Sequence, residues 1–184
     1  DPAGAAPGQR DRGRLALRAG GLVCLAVAAA SPALGGRDRS RGAEPTLVVV
    51  LDVSMSMRAA DVAPSRLDEA KRQVAGGLDA PSGSRVALVA FGGAPTLVCP
   101  PTPDRAAFDA LLAATGEDAA VPGPSLAAPA VARALALLGE AGGDVVVVSD
   151  GEFPDEDRRQ LQDGAREAVR RGARGAAIGG GTPG

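Results

Sequence analysis

The chain has 184 residues, enough for one domain with a substantial core and a tail. Lys plus Arg is 20 and Asp plus Glu is 22, and the net charge of -2 argues against general nucleic-acid affinity. His, Trp and Tyr are absent, which removes histidine general bases, histidine triads and imidazole-ligated zinc.

The charge is unevenly spread. Residues 1–44 hold seven Arg against four acids, a surplus of three, so the remaining 140 residues carry -5. Residues 1–18 form a basic tail without periodicity and are expected to be disordered. Residues 19–36 then run for eighteen positions without a charge, between Arg18 and Arg37. A spanning helix needs about 20 mostly apolar residues, and this run is short, rich in Gly and Ala, and contains Pro32. Three readings stay open: a marginal transmembrane helix, a signal peptide, or an irregular or amphipathic tail. Arg on both flanks gives no orientation. Cys24 lies in this run and reads most simply as an apolar filler, with a membrane-proximal reactive thiol as the alternative. With Cys99 far away in a different context, neither a disulfide framework nor a thiolate metal site is expected.

Residues 37–45 read as a charged linker. Leu47 to Leu51 is an unbroken apolar run, the pattern of a parallel strand buried on both faces. Ser65 is placed to cap a helix from Arg66 to about Leu78, with Leu67, Ala70, Val74 and Leu78 along one side. Arg85 to Phe91 is a second buried strand, and Thr96 to Cys99 a short antiparallel edge strand with Cys99 as a buried small hydrophobe. A helix from Asp104 to Ala114 is expected to turn Phe108, Leu111 and Leu112 inward. After an irregular loop the pattern is helical from Ser125 to Leu138, although Pro129 should delay its start or remove a hydrogen bond. Val131, Leu135 and Leu138 share one side there. Asp144 to Ser149 is a third apolar strand. A helix follows from Pro154 to about Arg171, its acids ahead of its bases as the helix dipole favours, and Gly175 to Gly179 is a weaker strand. Such alternation predicts an α/β fold with a doubly wound, mostly parallel sheet and one antiparallel edge strand.

Oxygen-bearing side chains fall where such sheets bind ligands, at the carboxyl ends of strands. Asp52, Ser54 and Ser56 follow the first strand, Ser125 opens a helix, and Asp150 follows the third apolar strand. A carboxylate with hydroxyls suits a hard divalent ion that keeps some waters and takes a further oxygen from elsewhere. Each residue also has a plainer role: Asp52 as a cap, the two serines bonding their own loop, Ser125 as an N-cap, Asp150 as a turn residue. Glu152 and Asp155 read as solvated rim charges. Asp61 and Arg66 lie close by with no physical role legible in the sequence.

The stretches LDVSMSM-RAADVAPSRLDEAKR, RVALVAFGGAPTLVCPPTPDRAAFDALL and VVVVSDGE resemble the von Willebrand factor A domain with its metal-ion-dependent adhesion site. In particular they resemble the bacterial membrane-anchored, aerotolerance-type (Bat) subgroup found beside MoxR-type AAA+ ATPases. The resemblance implies that Asp52, Ser54, Ser56, Ser125 (where the family has Thr) and Asp150 bind Mg2+ or Mn2+, Asp150 often through water. It implies no catalytic residues. Residues 46–184 would be the domain, lacking the family's last helix and edge strand and so truncated at its C-terminus. The implied function is divalent-cation-dependent protein binding at a bacterial cell membrane, with the domain outside the cytoplasm. The partner would supply an acidic residue to the metal, and sibling A-domain proteins and a MoxR-type ATPase would join the complex.

Two rivals remain. A metal-free structural scaffold has the same fold. A magnesium-dependent phosphoryl-transfer enzyme also places Asp after the first strand, but a haloacid-dehalogenase type wants a second Asp where Ser54 stands. A receiver type wants an acidic pair before that strand. No G-x-x-x-x-G-K-[ST] loop is present.

Overall fold

The computed structural model describes residues 44–77, 80, 83–139, 142–170 and 174–179. The tail over 1–18, the run over 19–36, most of the linker over 37–45, Cys24 and Leu78 lie outside them. In chain order the elements are β1 (Thr46–Asp52), α1 (Arg66–Gly77), β2 (Arg85–Phe91), β3 (Pro95–Thr102), α2 (Arg105–Ala114), α3 (Ala127–Leu138), β4 (Gly143–Ser149), α4 (Asp155–Arg170) and β5 (Arg174–Gly179). The strands form one sheet in the order β3-β2-β1-β4-β5.

Strand β1 is buried at every position because it lies mid-sheet with helices over both faces. Successive strand residues point to opposite faces. Val49 and Leu51 therefore join Leu88, Ala90, Leu67, Ala70, Val74, Phe108 and Leu112 beneath α1 and α2. Val48 and Val50 join Val89, Phe91, Ala127, Ala130, Ala134 and Leu138 beneath α3 and, through Ala168, α4. The small residues of α3 let its backbone lie close to the sheet. Each fully buried Val or Leu contributes roughly 1.5–3 kcal/mol, which makes this double-sided core the main source of stability.

Strands β1, β2, β4 and β5 pair in parallel and β3 pairs antiparallel with β2, as the alternation predicts. Strand β3 extends beyond the expected Thr96 to Cys99. Its Pro residues are tolerated because only one side of an edge strand needs backbone donors. Ser65 does cap α1, its Oγ accepting from the Asp68 N–H at 3.1 Å. Asp104 caps α2, accepting from the Ala107 N–H at 3.0 Å.

Two details differ from expectation. Leu111 is 39% exposed, since Phe108 and Leu112, four residues apart, take the inner face of α2. Leu135 is only partly buried, the close contacts of α3 going instead to its alanines. The delay expected from Pro129 is observed: helix α3 starts at Ala127 rather than Ser125, which places Pro129 within its first turn, where a missing N–H costs little. Among the described residues no helix is long and apolar enough to cross a membrane.

The chain leaves β1 toward β2 on one side and returns to β4 on the other. The carboxyl ends of β1 and β4 therefore flank the topological switch point, where open α/β sheets form a ligand crevice.

Candidate functional site

Asp52 ends β1 at this point with no solvent exposure. Its Oδ1 accepts the backbone N–H of Ser54 at 2.9 Å, which folds the loop back over the strand end. Its Oδ2 accepts the hydroxyl of Ser125 at 2.7 Å and that of Ser149 at 2.7 Å. A fully buried carboxylate is costly unless paired or multiply hydrogen-bonded. Asp52 meets that cost with three donors, and among the described residues it has no cationic partner. Ser54 and Ser56 lie side by side, their Oγ atoms 3.1 Å apart, with Ser54 buried and Ser56 at the surface edge. A short 3-10 turn over Met55–Arg58 holds them there, anchored by the fully buried Met57.

Ser125 reaches Asp52 because its loop is pinned to the end of β2. The Gly93 N–H donates to Val121 O at 2.8 Å and the Leu126 N–H to Gly92 O at 3.0 Å. The approach is so close that a Cβ on Gly93 would meet Pro122 O at 2.7 Å and Gly123 Cα at 2.9 Å. With its hydroxyl committed to Asp52, Ser125 leaves the start of α3 without a cap of its own. Asp157, buried in the first turn of α4, takes that role. Its Oδ2 accepts from the Ala127 N–H at 2.9 Å and its Oδ1 from the Ala128 N–H at 3.1 Å.

Asp150 follows β4, and its side chain is only 2% exposed. Oδ1 accepts from the Glu152 N–H at 3.2 Å, a turn-type bond, while Oδ2 accepts from Arg66 Nη1 at 2.9 Å. Arg66 also grips Asp61 with two parallel bonds, Nε to Oδ1 at 2.9 Å and Nη2 to Oδ2 at 2.8 Å. The hydrogen bond to Asp61, helped by Asp150 and opposed by burial, raises the Arg66 guanidinium above its ordinary value. The same bond from Arg66 holds the Asp61 carboxyl below the usual carboxylate range. Glu152 and Asp155 are rim charges, 69% and 90% exposed.

All five candidate residues therefore stand at the carboxyl ends of β1 and β4 or in the loop that caps them. Asp52, Ser54 and Ser125 are joined by direct bonds, Ser56 through Ser54, and Asp150 follows directly on Ser149. Sequence reasoning missed Ser149, Asp157 and the Arg66–Asp61 pair. Ser149 carries a partial signal as the polar residue ending an apolar strand, but its place beside Asp52 comes from the register of β4 on β1, where Leu51 pairs with Val148. Nothing local marks Asp157, which acts across 30 residues of chain.

The donor set is made of hard oxygens, which suit Mg2+ or Mn2+. Hydroxyls that donate their proton to Asp52 keep lone pairs for a cation, and the donation makes those oxygens more negative. The residues present thus fit a divalent ion bound in part through water. Among the described residues there is no cluster of three or more carboxylate or thiolate ligands, so the set is charge-poor.

This fold and these loops define a von Willebrand factor type A domain. The sequence profile of that domain matches residues 47–152, and the chain belongs to the family. A UPF0353 protein of Mycolicibacterium paratuberculosis is 36% identical over 141 residues, covering 71% of this chain and 41% of that protein. The chain thus spans about two fifths of the curated relatives it matches. Among solved structures, an aerotolerance-related membrane protein from Bacteroides fragilis is 27% identical with a TM-score of 0.67, over 76% of this chain and 69% of that one. BatB from Bacteroides thetaiotaomicron is 25% identical with a TM-score of 0.66, over 73% and 66%. Proximal thread matrix protein 1 of the mussel byssus, described with a zinc-occupied MIDAS motif, shares the fold at 15% identity and a TM-score of 0.58, over 74% and 35%.

Proposed function

We propose that this domain is a divalent-cation-dependent protein-binding module. Asp52, Ser54, Ser56, Ser125 and Asp150 would hold Mg2+ or Mn2+, directly or through water. The bound ion would supply a Lewis-acidic centre that attracts a carboxylate. The observation that carries this reading is the buried Asp52, which gathers the Ser125 and Ser149 hydroxyls and the Ser54 amide at the switch point. Asp52 is an organising acceptor: it orients the hydroxyls and supplies negative charge behind them. Because so few carboxylates face the ion, residual positive charge favours an anionic ligand from outside. An Asp or Glu side chain of a partner protein meets that need.

Likeness to BatB and to an aerotolerance-related membrane protein supports placing this domain at a bacterial membrane. Family resemblance extends the proposal to a complex with sibling A-domain proteins and a MoxR-type ATPase. A phosphoryl-transfer reading is disfavoured by geometry. A nucleophilic Asp needs an oxygen that substrate can reach, whereas Asp52 is fully buried with both oxygens engaged.

The test is calorimetric titration of the chain with Mg2+ and Mn2+, beside Asp52→Asn, with circular dichroism to verify folding. Binding in the wild type that is lost in a folded Asp52→Asn supports the site. A folded wild type that takes up neither ion at millimolar concentration overturns it in favour of the metal-free scaffold.

A further inference from the structure

Among the described residues, Arg66 is the cation that pairs with a candidate ligand. It opens α1, and its own N–H donates to Ala59 O at 3.0 Å, closing the loop that follows the two serines. Its guanidinium is shared. Asp61 holds one edge of it, Nε and Nη2, by bidentate bonds, the geometry in which Arg is most firmly fixed. The remaining nitrogen, Nη1, reaches Asp150 Oδ2 at 2.9 Å, with Glu152 Oε1 3.9 Å away. Asp150 is nearly sealed from solvent, so this contact is little screened by water.

We infer that Arg66, clamped by Asp61, is a positioning residue that lowers the intrinsic cation affinity of the site and so makes tight binding depend on a partner's carboxylate. This inference rests on the cation-site reading above. Two carboxylates would supply negative charge to a bound ion, Asp52 from behind its hydroxyls and Asp150. Arg66 compensates the second, and it also stands as a fixed positive charge beside any ion held there. Asp61 moderates the effect by drawing part of the Arg66 charge toward itself. The cation alone is then held weakly, and an anionic ligand from outside restores the missing charge. A module built this way engages metal and partner together.

The sign of the effect makes it testable. Mn2+ titration calorimetry on the full chain would compare wild type with Arg66→Gln, Arg66→Lys and Asp61→Asn, each checked for folding by circular dichroism. Removing the positive charge in Arg66→Gln should tighten Mn2+ binding by about tenfold, while Arg66→Lys, which keeps the charge but not the bidentate fork on Asp61, should not tighten it by more than about twofold. Asp61→Asn leaves Arg66 less compensated and should weaken Mn2+ severalfold. Added acetate, standing in for a partner carboxylate, should strengthen Mn2+ binding more in wild type than in Arg66→Gln.

A folded Arg66→Gln that binds Mn2+ no better than wild type overturns the inference while leaving the cation site standing. So does equal weakening in all three variants, which would mark Arg66 as a loop fastener. Should Arg66→Gln fail to fold, Arg66→Met takes its place under the same criterion: tighter Mn2+ binding supports the inference, equal or weaker binding refutes it. A folded wild type that takes up no Mn2+ refutes the site reading itself, and this inference with it.

Discussion

Replacing Asp157 with Ala tests how α4 holds the start of α3 and, with it, the loop that carries Ser125. Asp157 is 4% exposed and accepts two backbone N–H bonds, at 2.9 and 3.1 Å, from Ala127 and Ala128. Loss of an N-cap costs roughly 0.5–2 kcal/mol, and these bonds are buried and made to a carboxylate, for which about 1.5–3 kcal/mol is typical. Removing a buried charge returns part of that, since Asp157 no longer has to be desolvated on folding. The expected net loss is about 2–3 kcal/mol. With a slope of about 2 kcal/mol per molar urea, the unfolding midpoint should fall by about 1 M. The same loss should lower Tm by about 5–10 °C for a chain of this size. Asp157→Asn keeps one acceptor oxygen and should lose about half as much. Equilibrium urea unfolding followed by circular dichroism reads both variants. A change below about 0.5 kcal/mol for Asp157→Ala would refute the reasoning, because it would mean that the two amides find equivalent partners in water.

Two further outcomes follow from the same geometry. Gly93→Ala drives a methyl group into Pro122 O and Gly123 Cα, backbone atoms that cannot swing aside. It should cost about 1–3 kcal/mol by overpacking and weaken Mn2+ binding through displacement of Ser125; a fully stable variant with unchanged titration would contradict the pinned loop. For Asp61, the pairing with Arg66 depresses the folded-state pKa below the ordinary 3.8. The stabilisation is therefore complete above that ordinary value and is lost as pH falls through the lower folded one. Carboxyl titration by NMR should place the Asp61 midpoint below 3.8 in the native chain and move it back toward 3.8 in Arg66→Gln. An unmoved midpoint would show that another group sets it.

Much of this protein is decided by short-range pattern. The unbroken apolar runs of β1, β2 and β4 demand burial on both faces, and only a parallel sheet between helix layers provides it. Ser65 and Asp104 cap helices that begin one residue later, so those starts are local events as well. Asp52, Ser54, Ser56, Ser125 and Asp150 stand out as candidates in the sequence because strand ends and helix starts in such a sheet converge on one crevice.

Tertiary structure alone decided how those residues are used. The sequence places a hydroxyl at Ser125 but leaves capping and site-facing roles equally available. The close packing of Gly93 against Pro122 and Gly123 turns it toward Asp52 and passes the capping task to Asp157. Ser149 joins the site because β4 lies beside β1 in register, a fact of sheet order rather than of sequence spacing. Arg66 meets Asp150 across 84 residues, and no periodicity encodes that meeting. Hydrophobic pattern specifies which face of an element is buried. Hydrogen-bond and charge partners depend on distances of a few ångströms between segments remote in the chain, and those exist only once the core has packed.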